Sequence, residues 1–152
     1  NWVISLPALS VSTIEFNLTT TAHDYAAWRA ANFTGADLTN DAVSGPLADP
    51  DGAGLNNYAR YAFALAARGP VAPAATLGTA TTTGGDKVLS LAFTRRSVAT
   101  DIKYVVEGSF DLANWATVAT YTPDSVTAVT AQDSVFLDTA SRRFLRVRAT
   151  LP

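Results

Sequence analysis

The sequence predicts a mainly β protein, an antiparallel β-sandwich with two short α-helices inserted before the main sheet. Three observations carry this expectation. Beyond residue 86, five short segments alternate apolar and polar residues, with turn signals at Gly84-Gly85, Asp111 and Pro123-Asp124. The period switches to three and four residues in two places only, within 22–33 and 55–65. A chain of 152 residues, 48% of them hydrophobic, also has enough apolar material for one sizeable core.

The elements follow in order. Trp2, Ile4 and Leu6 share one side of an N-terminal segment that Pro7 interrupts, which confines it to an edge strand or an arm. From Val11 to Leu18, Ile14, Phe16 and Leu18 alternate with Thr13, Glu15 and Asn17, so a second half-buried strand is expected. Ala22, Tyr25, Trp28 and Ala31 then recur at helical spacing, predicting a helix from Ala22 to Phe33 capped by Thr20 or Thr21. A turn-rich stretch runs from Thr34 to Gly54. Leu55, Tyr58, Ala62 and Leu65 form the apolar stripe of a second helix, closed by Gly69-Pro70. Residues 70–86, rich in Pro and Ala and then in Thr and Gly, read as a connection. Candidate strands are Lys87 to Thr94, Ile102 to Gly108, Trp115 to Tyr121, Ser134 to Asp138 and Arg143 to Thr150. The organisation is thus an N-terminal strand or arm (1–20), a two-helix segment (21–69), a connection (70–86) and sandwich strands (87–152) that form one unit with 1–20.

Composition narrows the chemistry. Eleven Lys and Arg against 13 Asp and Glu give a net charge of −2, which argues against nucleic-acid and anionic-membrane partners. The absence of Cys removes thiol catalysis, disulfides and zinc-thiolate sites. His23 is the single histidine, and no Gly-x-Ser-x-Gly motif accompanies it, so a surface position at a helix start is expected rather than a catalytic one. Glu15 and Glu107 are the two glutamates, and the aspartates fall mainly in turns, where they cap backbone groups. No catalytic residue is assigned. No run approaches the roughly 18 apolar residues of a membrane span. The chain starts at Asn1, contains no Met and is rich in Thr and poor in Lys, so a bacterial exported protein processed from a longer precursor is expected. Asn17-Leu18-Thr19 and Asn32-Phe33-Thr34 match the glycan acceptor pattern.

One motif carries specific chemistry. Asp49 to Arg60 has the spacing of a twelve-position calcium loop running into a helix, with Asp49, Asp51, Gly54 and Asn57 at positions one, three, six and nine. Position five is Ala53, which offers no side-chain oxygen, and position twelve is Arg60, where a bidentate carboxylate belongs. The loop is therefore a degenerate one. No metal or other cofactor is expected, calcium being the alternative that the pattern leaves. The expectation is that the Arg60 guanidinium replaces the ion and reaches back to Asp49 or Asp51.

The runs Tyr25-Ala26-Ala27-Trp28, Asn32-Phe33-Thr34, Ala48-Asp49-Pro50-Asp51-Gly52 and Leu55-Asn56-Asn57-Tyr58 resemble a C-terminal module of large secreted proteins in Verrucomicrobia-type bacteria. That module pairs a DPDGDG-type loop and a helix with a following β region, echoed here by Phe93 to Arg96, Thr100 to Tyr104, Val106 to Trp115 and Arg142 to Arg148. The resemblance covers roughly residues 25 to 149 and implies an extracellular or cell-surface setting without implying an activity. Ala53 and Arg60 depart from the module's loop.

The remaining candidates are aromatic and cationic. Trp28 and Trp115 read as core, while Trp2, with Ile4 and Leu6, belongs to an arm that could add to a sheet edge of another chain or of its own. Arg146 and Arg148 share one face of the last strand with Phe144, and Leu145, Val147 and Ala149 share the other. That face is either a cationic stripe for an acidic glycan or a row paired across strands with Glu107 and Asp101. The expected function is a non-catalytic extracellular structural module that self-assembles by strand addition into a fibre or surface layer, with itself or other cell-surface proteins as partners. The alternative is a carbohydrate-binding or adhesion module that contacts polysaccharide through Trp2, Trp115, Arg146 and Arg148.

Overall fold

The structure is a computed structural model that describes residues 23–140 and 142–150. The strand and arm expected within 1–20, and the caps expected at Thr20 or Thr21, lie outside the described residues. Helix α1 spans Tyr25–Asn32 and is capped by Asp24, whose carboxylate accepts from the Ala27 amide at 2.8 Å. Two short helical turns follow inside the stretch read as turns, α2 (Gly35–Thr39) and α3 (Asp41–Ser44). Their Gly, Ala, Asp and Ser content suits both turns and single helical turns, so no periodicity distinguishes them.

Helix α4 covers Asn57–Ala62 and is shorter than the predicted 55–65. Asn56 caps it through the Ala59 amide, and Ala64 (φ 54°) ends it, with Leu65 N donating to Arg60 O. That left-handed position usually holds Gly.

Six strands follow. They are β1 (Ala75–Thr81), β2 (Lys87–Thr94), β3 (Lys103–Ser109), β4 (Ala116–Tyr121), β5 (Ala128–Phe136) and β6 (Phe144–Thr150). They form two antiparallel three-stranded sheets, ordered β1-β2-β5 and β4-β3-β6. The chain is thus mainly β, in a sandwich arrangement with short helices before it. Strand β1 lies within the stretch read as a connection. Its Ala-Thr-Leu-Gly-Thr-Ala-Thr sequence carries an interior Gly and two Ala, residues depleted in strands, which hides it. Strand β5 starts six residues before the predicted Ser134, because Ala128, Thr130 and Gln132 make only a weak outward-facing pattern.

Alternation places the core. Leu91 and Phe93 on β2, Tyr104 and Val106 on β3, and Val129 and Ala131 on β5 are buried between the sheets. Phe63, just after α4, enters the same core against Phe93 and Tyr104. The helical segment docks on one end of the sandwich through Tyr25, Trp28, Tyr58 and Tyr61, whose ring centroids lie 5.4–5.9 Å apart. Trp28 belongs to this cluster, as the stripe predicted.

A buried ion pair joins the sheets further down. Asp133 faces inward from β5, and the Arg143 guanidinium reaches it with Nε at 2.5 Å and Nη2 at 2.9 Å. The Asp133 side chain is 0% exposed and that of Arg143 7%. Burial opposes ionisation, and the Arg143 hydrogen bonds outweigh it, so the Asp133 carboxyl stays below its ordinary range. Gly108 makes room for this pair: a Cβ there would overlap the Arg143 guanidinium.

Asp133→Ala should lower the unfolding free energy by about 3 kcal/mol, because it strands a buried guanidinium. Gly108→Ala should act in the same direction by overpacking. Urea unfolding checks both, as a reduced midpoint at unchanged slope; an unaltered midpoint for Asp133→Ala would show that the sheets do not rely on the pair.

Candidate functional site

The loop singled out by its spacing folds around its own carboxylates. Asp49 turns back on the chain, its two carboxylate oxygens accepting from Ala53 N at 3.1 Å and Gly54 N at 2.7 Å. Gly54 adopts φ 81°, the left-handed turn that position six requires. Asn57 does not face the loop. Its side chain is buried and donates to Val43 O at 2.8 Å and Gly45 O at 3.0 Å, tying α4 to the end of α3. Its Oδ1 has no hydrogen-bond partner among the described residues.

Arg60 is 0% exposed. Its Nε donates to Leu55 O at 3.3 Å, Nη1 to Ala66 O at 2.9 Å and Nη2 to Gly69 O at 2.9 Å. Nη2 also lies 3.7 Å from Asp51 Oδ2. One planar cation therefore gathers three carbonyl oxygens and a carboxylate from both sides of α4. Asp51, rather than Asp49, is the acid it meets. Asp51 also accepts from Gly69 N at 2.6 Å and Arg68 Nε at 3.0 Å. The Gly69 amide, Arg68 and Arg60 together hold its carboxyl below its ordinary range. Among the described residues no three His, Asp or Glu side chains converge on one point.

The second candidate face lies on β3 and β6. Register pairs Glu107 with Arg146 and Val105 with Arg148. Glu107 accepts from Arg146 Nε at 2.8 Å, and from Arg148 through Nε at 2.9 Å and Nη2 at 3.0 Å. Both arginines thus share one carboxylate, whose pKa is pulled down to about 2, chiefly by the Arg148 hydrogen bond. The row is paired, and its two cations leave one net positive charge. Asp101 is not part of it.

Trp115 lies just before β4 instead of in the core. It is half-buried, its Nε1 donates to Leu112 O, and the Arg146 guanidinium stacks 3.9 Å from its ring centroid. The structure therefore brings Trp115, Arg146 and Arg148 together, with one indole face covered. Trp2, Ile4 and Leu6 lie outside the described residues. Arg95, Arg96 and Arg143 are engaged elsewhere. Arg95 clamps Thr122 O and Val126 O, Arg96 donates to Tyr61 O, and Arg143 is spent on Asp133.

Sequence reasoning missed the role of Asp101. Its carboxylate accepts from Tyr25 N at 2.7 Å and Tyr61 Oη at 2.5 Å, and its carbonyl accepts from Tyr58 Oη at 2.9 Å. Burial pushes the Tyr25 and Tyr58 hydroxyls up to about 12. The one available signal was Tyr25 in the first helical stretch and Tyr58 and Tyr61 in the second, with no assigned partner for their hydroxyls. His23 is exposed, and its carbonyl accepts from Thr100 N and Tyr61 Oη. No helix of the described residues is long and apolar enough to cross a membrane. No protein-family model, curated protein or solved structure matches the chain.

Arg60→Ala should cost about 3–5 kcal/mol, the range for removing one partner from a buried charged network. Arg60→Lys should recover only part of this, since an ammonium cannot span the same oxygens. Thermal unfolding measures both, and calcium at about 1 mM, above sensor-loop affinities, should leave the wild-type midpoint unmoved. Stability should also fall as pH drops from about 4.5 towards about 2. A depressed carboxylate contributes above its unfolded pKa and loses that contribution as it protonates in the fold. Glu107→Gln should flatten this slope in an acid titration followed by circular dichroism; an unchanged slope would remove Glu107 from the account.

Proposed function

We propose that the chain is a non-catalytic extracellular structural module that works by contact and self-assembles through strand addition into a fibre or surface layer. The observation that carries this reading is the composition of an edge. Strand β4, Ala-Thr-Val-Ala-Thr-Tyr, pairs with β3 and with no other strand among the described residues, and it contains no charge and no proline. Natural sheets guard their edges with Lys, Pro, bulges or covering loops; β4 carries one such guard, a register shift opposite Val106 and Glu107, and an edge without charge or proline is otherwise a template for another strand. The alternating Trp2, Ile4 and Leu6, followed by Pro7, form a donor of matching pattern. The extracellular setting follows from the resemblance to modules of secreted bacterial proteins.

The alternative, polysaccharide binding at Trp115, Arg146 and Arg148, is supported less well. A sugar-stacking platform needs an open ring face, and Arg146 lies across one face of Trp115. Both cations are also engaged with Glu107.

Light scattering across a concentration series, with electron microscopy, tests the reading. Particle size should grow with concentration. Deleting residues 1–10, or placing Lys at the exposed Thr117 and Thr120 on β4, should return the chain to monomers. A chain that stays monomeric throughout, and is retained on a polysaccharide matrix until Trp115→Ala releases it, would overturn the proposal in favour of the binding module.

A further inference from the structure

Strand β4 carries one residue more than its pairing with β3 uses. Tyr104 stands opposite Tyr121, Val105 opposite Thr120 and Val106 opposite Ala119; the next pairs are Glu107 with Thr117 and Gly108 with Ala116. Val118 is the residue passed over, so it marks a β-bulge. The bulge changes the phase of the strand. Tyr121, Ala119 and Val118 all pack on the buried core. Thr117 lies opposite Glu107 on the outer face, and Trp115, two residues earlier, shares that face, with the Arg146 guanidinium 3.9 Å from its ring centroid. In unbroken alternation Trp115 would share a side with Ala119 and Tyr121. That is why its sequence position reads as core.

The β4 sequence does not itself choose between these arrangements. One row is Ala116, Val118 and Thr120, and the other is Thr117, Ala119 and Tyr121. Each row mixes Ala and Thr with one larger residue, and such a pattern specifies register weakly. Trp115 breaks the tie, and it is held from two directions. Its Nε1 donates to Leu112 O at 2.9 Å, and Leu112 (φ 64°) is kept in a left-handed conformation by its amide bond to Ser109 Oγ at 2.9 Å. Asp111 braces the same loop, accepting from Ala113 N at 2.9 Å and Asn114 N at 2.7 Å. On the other side, Arg146 Nε donates to Glu107 at 2.8 Å, which fixes the guanidinium where the indole covers it.

We propose that Trp115 and Arg146 form a register lock on β4. Their stack on the outer face holds the bulge at Val118. Without it, β4 relaxes into an unbulged register in which Val118 stands opposite Glu107, Thr117 opposite Gly108, and Trp115 turns to the core side. Both residues are thus positioning residues for an edge strand. The lock acts within one chain and does not rest on the assembly proposed above. It fixes the row of backbone groups that any strand added to β4 would meet.

Nuclear magnetic resonance of the full chain, at a concentration where it is monomeric, tests the lock. The wild type should give one set of β4 signals, with Gly108 in contact with Ala116. Trp115→Ala should add a second set, at about 10% of the first, in which Gly108 contacts Thr117 instead. Arg146→Ala removes the stack from its other side and should do the same. Deleting Val118 in either variant should abolish the second set, because no surplus residue is left for the strand to absorb. A single set in both substituted chains, with Gly108 still against Ala116, would overturn the lock and leave the bulge to the core contacts of Val118 and Ala119. A second set that survives deletion of Val118 would overturn it too, since β4 would then be heterogeneous for a reason other than the bulge.

Discussion

The docking of α1 and α4 depends on how tyrosine hydroxyls are satisfied where the helices meet the sandwich. Tyr104 Oη donates to Ala62 O at 2.5 Å and accepts from Arg96 N at 3.0 Å, while Asp101 collects Tyr25, Tyr58 and Tyr61. A buried hydroxyl without a partner costs a few kcal/mol, so these bonds restrict the helices to one way of docking. Once they form, Phe63 is delivered between the sheets, and the aromatic cluster covers the end of the core. The Arg96 guanidinium, 4.6 Å from the Tyr61 ring centroid, closes the junction from the strand side.

The same economy governs the charges. Only 16% of residues are charged, and the structure engages most of its arginines with other groups of the chain. Arg60 and Arg143 are buried, Arg95 and Arg96 brace backbone carbonyls, and Arg146 and Arg148 converge on Glu107. A chain that commits its cations internally keeps little field at its surface to attract ligands from solution. The strands β1 and β4, by contrast, carry no charge at all.

Much of this was legible in sequence, for identifiable reasons. Strand β2 matches its predicted bounds because Val, Leu and Phe dominate Lys87–Thr94. The pairing of Arg146 and Arg148 with Glu107 follows from strand alternation. Strand β1 was hidden because Gly and Ala suppress its alternating pattern. The length of α4 was overestimated because Leu65 continues the stripe, although Ala64 has already left the helix. The Arg143–Asp133 pair could not be read at all. It spans the two sheets, and its enabling residue, Gly108, looks in sequence like an ordinary strand interruption.

The buried guanidinium of Arg60 also alters how the loop relates to its surroundings. A metal-held loop shares an equilibrium with its medium: dilution, chelators, acid and competing ions all draw on its occupancy. The Arg60 guanidinium, being covalently attached, cannot be washed out. Its local concentration is set by the reach of one side chain. The clasp that Arg60 makes with Leu55, Ala66, Gly69 and Asp51 is thus part of the chain itself, and its contacts draw on nothing dissolved in the medium.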